Sequence, residues 1–163
     1  LREVDKIVRQ WRDSEGKIAA SMRLINNSSL GFPLEKNFRI SLKVPNNNRD
    51  KFVEVSRFIV AKKYRKKFVI LALMRGIYAY LKENQISHVF AVLDHKLIRT
   101  LTRIGFPFIK IGPTTAYQGL TAPYIMDVAE MVENIRKVNP RLLKFASKGW
   151  IECSEKNHQY TIH

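Results

Sequence analysis

Phe52-Val53-Glu54-Val55-Ser56-Arg57-Phe58-Ile59-Val60 is the stretch on which the fold turns. Its aromatic and β-branched residues read as a strand. A carboxylate and a guanidinium inside such a strand are costly unless they are paired or working. Strict alternation puts Glu54, Ser56 and Phe58 on one face and Arg57 on the other. A β-bulge here would re-aim one side chain and bring Glu54 and Arg57 together. The plain alternative is an ordinary edge strand with solvated charges.

Upstream, Lys6–Arg12 and Lys17–Ile25 read as two strands of a hairpin. They are joined at Asp13-Ser14-Glu15-Gly16, where Gly16 supplies a positive φ. Arg23 sits in the second strand, where an arginine is most simply a surface residue. Near Glu54 it would form an ion pair, orienting that carboxylate or gripping a substrate carboxylate. Asn26–Pro33 is a loop, Leu34–Phe38 a short helix and Val44–Asp50 a second loop.

Downstream, Ile70, Leu73, Met74, Ile77 and Leu81 recur at helical spacing within Phe68–Glu83. His88–Leu93 reads as a buried strand. Asp94 caps a helix whose apolar face is Leu97, Ile98, Leu101 and Ile104, and Gly105 ends it. Phe106–Ile111 and Thr121–Val128 read as strands. Met131, Val132, Ile135 and Val138 mark a helix, broken at Asn139-Pro140, and Arg141–Ser147 another. The order of elements implies an α/β (α+β) domain with a mixed sheet and parallel crossovers at its middle. Residues 1–147 form one domain, and 148–163 a polar, peripheral tail.

The 163 residues carry a formal charge of +15 with 45% hydrophobic residues. That excludes a strongly acidic or low-hydrophobicity disordered chain. Arg75 and Lys82 break the longest apolar run, and no leader pattern stands at Leu1–Arg12. The single cysteine, Cys153, excludes an internal disulfide, which suits a reducing compartment and a cytoplasmic protein. Acidic neighbours make it a poor nucleophile. The four histidines, His88, His95, His158 and His163, show no metal spacing, so no metal is expected. Neither a phosphate-cradling glycine loop nor a nucleophile elbow is present.

A surface this basic attracts polyanions or acidic proteins. Lys62-Lys63-Tyr64-Arg65-Lys66-Lys67 precedes the strongest helix, the end that the helix dipole reserves for anions. The run could therefore hold a phosphate or dock an acidic partner. A solvated loop or a nucleic-acid patch are the alternatives. Nucleic-acid patches interleave stacking aromatics, and only Tyr64 is available here, which makes nucleic acid the weaker partner. Phe58, Phe90, Phe108 and Tyr124 lie on several strands. They could line an acyl or acceptor pocket between splayed strands, with core packing the alternative.

Four segments carry a family resemblance. Asp13-Ser14-Glu15-Gly16-Lys17 followed by Ser21-Met22-Arg23-Leu24-Ile25 resembles a hairpin ending in an Arg-Leu-Leu-type triplet. Gly31-Phe32-Pro33-Leu34 resembles a loop before a short helix. Glu54 to Val60 is similar to a Glu-x-Ser-Arg-Phe/Leu-x-Val strand, the most specific of the four. Ala122-Pro123-Tyr124-Ile125-Met126-Asp127 resembles a late strand. Together they resemble the GNAT superfamily and its autoinducer (acyl-homoserine-lactone) synthase branch, and more closely the long-chain N-acyl amino acid synthases of the N-acyl-tyrosine type.

The resemblance implies a mostly antiparallel central sheet with a splayed parallel pair, Phe52–Val60 and His88–Leu93, and helices on both faces. It implies transfer of a long-chain acyl group from a phosphopantetheine thioester to an amino acid amine, with tyrosine the expected acceptor, directly and without an acyl-enzyme. Glu54 would be the base, with Arg57 and Arg23 beside it. The backbone at Val60 and Ala61 would meet the pantetheine and the oxyanion. Many members carry Arg/Gln-x-x-Gly-x-Gly/Ala after this strand to wrap coenzyme A. Here Tyr64-Arg65-Lys66-Lys67-Phe68-Val69 has no glycine, and the backbone cannot approach a pyrophosphate closely. An acyl carrier protein is therefore the expected donor, docked on Lys62, Lys63, Arg65, Lys66 and Lys67, with no separately bound cofactor. Leu101 stands where many members place a tyrosine acid. A monomer is expected. The alternatives are an acyl-homoserine-lactone synthase using S-adenosylmethionine and a non-catalytic nucleic-acid-binding domain.

Overall fold

The computed structural model describes residues 6–41, 47–65, 69–117, 119–148 and 159–161. Lys66, Lys67, Cys153, His158 and His163 lie outside them. Among these residues eight strands form one sheet: β1 (Lys6–Arg12), β2 (Ile18–Asn26), β3 (Phe52–Val60), β4 (His88–Asp94), β5 (Ile109–Lys110), β6 (Thr115–Ala116), β7 (Leu120–Asp127) and β8 (Gln159–Thr161). The order is β5-β7-β4-β3-β2-β1-β8, with β6 also paired to β7. β3 and β4 run parallel, as do β1 and β8, and the remaining pairs are antiparallel. The expected mixed, mostly antiparallel sheet is present. Two details differ. The strand expected at Phe106–Ile111 shrinks to two residues, and the peripheral tail contributes β8 to the sheet's edge.

Among the described residues the α-helices are α1 (Pro33–Asn37), α2 (Val69–Glu83), α3 (His95–Arg103), α4 (Val128–Val138) and α5 (Pro140–Ser147). Their starts follow from local chemistry. Asp94 accepts from the N–H groups of Lys96 and Leu97, and Asp127 from that of Glu130. Asn139 accepts from Leu142 N–H with Pro140 at the first helical position, where no donor is needed.

Alternation along each strand feeds two cores. One face carries Trp11, Met22, Leu24, Val53, Val89 and Met126 against Leu73, Tyr80 and Leu81 of α2, Met131 and Ile135 of α4 and Leu142 of α5. The other carries Phe52, Phe90 and Ile125 against Phe32 and Leu34 at α1. Helices thus cover both faces.

The sheet opens at its centre. β3 and β4 pair only from Phe52–His88 to Val55–Ala91. Beyond that, β3 follows β2 alone and β4 follows β7 alone. The cause lies in the quoted stretch. Ser21 pairs with Ile59 but Arg23 with Ser56, so β3 takes one more residue than β2. Arg57 absorbs it with a left-handed φ of 50°. Such a bulge bends its strand and raises its twist, here away from β4.

Gly112 fixes the wall beyond β7. A Cβ there would lie 2.3 Å from the Arg39 carbonyl oxygen and 2.8 Å from Pro123 Cγ. The same approach brings Ser41 N–H to the Ile111 carbonyl at 2.8 Å. Because the nearest obstacle is backbone, Gly112→Ala should destabilise by about 1–3 kcal/mol. A urea unfolding midpoint equal to that of the parent would show that this contact does not clamp the wall.

Candidate active site

A cavity of about 620 Å³ occupies the splay between β3 and β4. Its walls come from both faces of the sheet, so it runs through it. At one end stand Arg23, Glu54, Ser56 and Arg57, with Asn37, Phe38 and Tyr117 opposite. At the other end are Met74, Ile77, Val89, Phe106, Phe108 and Met131. Polar groups converge at one end only, which is the form of a site for an amphiphilic ligand.

Glu54 is only 3% exposed. Its Oε2 accepts from Leu34 N–H at 2.9 Å. This partner has a local origin. Pro33 takes the first position of α1, so Leu34 offers one of the helix's unpaired donors. The turn is held in place from the other side. Glu35 accepts from Arg49 Nη2 at 2.6 Å, and the Arg49 guanidinium lies 5.1 Å from the ring centres of Phe32 and Phe52.

Burial pushes the Glu54 carboxyl above its usual value of 4.5. The Leu34 hydrogen bond and the positive charge of Arg23 pull the other way, and nearby Glu35 adds to the rise. A carboxylate so placed holds a proton more readily than a solvated one, as a general base must.

The bulge brings Arg57 to the same cavity as Glu54, as a bulged strand was expected to do. Arg57 is exposed, at the mouth. Arg23 does not form the expected ion pair. Its Nε donates to Ser56 Oγ at 2.9 Å, and it acts on Glu54 through space. Two aromatic expectations need correction. Phe90 is fully buried against Phe32 and Phe52 on the α1 face, because it pairs with Glu54 in the stretch where β3 and β4 are still joined, short of the opening. Tyr124 sets its ring edge-on to Phe108, 6.5 Å away, and does not line the cavity. Phe58 and Phe108 do line it.

The Ala61 expectation is also corrected. Its N–H donates to the Ala19 carbonyl at 2.9 Å and is therefore committed to β2. The same bond makes Ala20–Val60 a pair that exchanges no hydrogen bonds, so Val60 directs its N–H away from β2. Lys62, Lys63 and Arg65 are exposed on a turn beside this strand end. Arg65 Nε donates to the Val60 carbonyl at 3.1 Å. The Tyr64 hydroxyl donates to the Asp13 carboxylate, tying the basic turn to the hairpin tip. That bond, followed by the Lys17 N–H, holds the Asp13 carboxyl below its usual value.

Sequence reading missed Leu34 N–H, Arg49, Asn37, Phe38 and Tyr117. Only the first had a local signal, the Pro33 that marks the helix start. Among the described residues, no group of His, Cys, Asp and Glu could hold a metal ion. No helix among them is long and apolar enough to cross a membrane.

A splayed parallel pair in a mostly antiparallel sheet, with a through-cavity and a buried carboxylate, defines the GNAT-like synthase class of fold. Residues 8–128 match the profile of the N-acyl amino acid synthase FeeM, and the chain belongs to that family. Solved structures share the fold. TofI, in complex with an inhibitor and MTA, superposes with a TM-score of 0.62 at 18% identity, over 85% of this chain and 72% of TofI. FeeM, an N-acyl amino acid synthase from uncultured soil microbes, gives 0.54 at 15%, over 72% of this chain and 65% of FeeM. BjaI, a CoA-dependent acyl-homoserine lactone synthase solved with SAM and isopentyl-CoA, gives 0.58 at 17% over 77% of this chain. This chain spans 59% of the length of BjaI. No curated protein matches by sequence.

The buried carboxyl makes a stability prediction. With its pKa raised on folding, the folded state binds more protons between the two values. Its contribution to stability therefore falls as pH rises through that window, which opens near the ordinary 4.5. Glu54→Gln removes the penalty and keeps an acceptor for Leu34 N–H. Its stability relative to the parent should rise from acid to neutral pH in urea unfolding; a constant difference would show that Glu54 does not titrate as described.

Arg57 makes a second. A non-glycine residue in the left-handed region costs on the order of 1–2 kcal/mol. Arg57→Gly should fold with a melting temperature no lower than the parent's while losing the mouth guanidinium. A clear fall would show that the Arg57 side chain supports the fold.

Proposed function

We propose that this protein is an N-acyltransferase that moves a long-chain fatty acyl group from an acyl carrier protein to the amine of an amino acid, with tyrosine the expected acceptor. The observation that carries this reading is the through-cavity. It places an apolar channel on one side of the splay and a buried carboxylate with two arginines on the other. Membership of the N-acyl amino acid synthase FeeM family supports the same chemistry.

In this reading the thioester carbonyl sits at the splay with its chain in the apolar end. The acceptor enters at the polar end. Arg57, with Arg23 behind it, meets the acceptor carboxylate. Phe38 and Tyr117, edge-on with centroids 5.3 Å apart, give an aromatic side chain a wall. The neutral amine attacks the carbonyl carbon, and a C–N bond forms. Val60 N–H stabilises the oxyanion. Glu54 takes the ammonium proton, the C–S bond breaks and the thiolate is protonated by water. The transfer needs no acyl-enzyme, and the Ser56 hydroxyl at this end is engaged by Arg23 Nε.

Donor choice rests on the basic turn. Lys62, Lys63 and Arg65 are exposed beside the strand end where a pantetheine arm would enter, and an acidic carrier would be steered to them. The glycine-free segment that follows disfavours wrapping a free pyrophosphate. BjaI is CoA-dependent, so the two donors must be compared directly.

The test is incubation with long-chain acyl carrier protein and an amino acid mixture, read by mass spectrometry. Parallel arms with acyl-coenzyme A and with S-adenosylmethionine identify the donor and the acceptor class. An N-acyl amino acid from the carrier arm is the expected product. None from any arm would refute the reading. Glu54→Gln should lower turnover by about 10²–10⁴-fold and leave carrier binding unchanged. Lys62→Glu with Lys63→Glu should raise the apparent KM for the carrier, most at low salt. An unaltered salt dependence would move the docking site elsewhere.

A further inference from the structure

One part of the interior has no role in this chemistry. A second cavity of about 40 Å³ lies where α2 meets α4 and α5, floored by Leu142, Leu143 and Ala146 of α5. Its neighbour is the apolar end of the main cavity. Met74, Phe106 and Met131, with Ile77 and Leu81, line both spaces and are the partition between them. The lining of the smaller space is almost wholly apolar, so it offers water no hydrogen-bonding partners; hydrocarbon is what it suits.

The partition is made of movable parts. Methionine is unbranched, has three rotatable bonds and carries no hydrogen bond to break. Met131 is buried and Met74 half-buried, facing each other's space from α4 and α2. The remaining side chains of the partition are stiffer. α5, by contrast, buries only Leu142 fully, leaving Leu143 and Ala146 half-buried over the space. A chain end pressing from the main cavity meets two thioethers that can rotate, and behind them the apolar space under α5.

We infer that Met74 and Met131 form a movable partition, and that the space under α5 is a subsite for the terminal methylenes of long acyl chains. α5 then sets the upper limit of chain length. The inference rests on the reading of the main cavity as an acyl site.

The experiment measures displacement of a fluorescent fatty acid from the full chain by saturated fatty acids from octanoate to stearate. Affinity should rise about fourfold per added methylene until the site is full, and then level off. Ala146→Leu adds three carbons to the floor and should bring the plateau roughly two to three carbons earlier, with octanoate binding unchanged. Met131→Ala should move the plateau to longer chains. Because it opens space rather than filling it, it carries the test should Ala146→Leu fail to fold. The same plateau in parent and variants overturns the subsite while leaving the acyl reading intact. Absence of any length dependence in the parent overturns both.

Discussion

The structure depends on a single displaced residue. Arg57 adopts a left-handed backbone in the middle of a nine-residue strand, and the register of β3 against β2 slips by one there. The strain is local and is offset by pairing on both sides, from Asn26–Val53 to Ala20–Val60. Its effect is large because β3 is central. Once β3 turns toward β2, it can no longer reach β4, and a sheet that would have been continuous opens through its whole thickness. A sheet interior is normally closed by its own hydrogen bonds. Here the bulge leaves a strand edge unpaired inside the molecule, and the cavity follows from it.

The opening gives meaning to a carboxylate in the interior. Glu54 sits one turn of the pleat before the slip, on the face that α1 covers. Burial works against its charge, and the structure supplies only partial relief: one backbone N–H and the field of a guanidinium held by Ser56. A fold selected for stability alone would fill this position with an apolar residue. The supporting parts are spread along the chain. Pro33 leaves Leu34 N–H free, and the Glu35–Arg49 pair over Phe32 and Phe52 fixes where that N–H points. A site built on such remote ties is kept by geometry rather than by any local motif.

Similarity at 15–18% identity to TofI, FeeM and BjaI is compatible with this picture. What these chains share with this one is the arrangement of a sheet, which tolerates wide exchange of apolar side chains while the pattern is kept. Particular contacts at the mouth, such as Phe38 edge-on to Tyr117, lie outside the sheet, at the end of a short helix and in a bend.

The amino-acid sequence by itself determined most of the elements, because periodicity and capping are local. The hairpin, the helix begun by Asp94, the break at Asn139-Pro140, and the charged strand with its bulge were all legible. Glu54 stood out as well, since an ionised group in a β-branched strand is conspicuous without any structure. The tertiary structure decided the rest. Alternation fixes which residues share a face but not where along the strands the sheet opens, so Phe90 and Tyr124 went into packing while Phe38 and Tyr117 reached the cavity. Strand assignment fixes that Ala61 follows β3, but only the neighbouring strand shows that its N–H is spent on Ala19. The partition of Met74 and Met131 belongs to two helices far apart in sequence, and their meeting exists only once the sheet has brought α2 and α4 to one side.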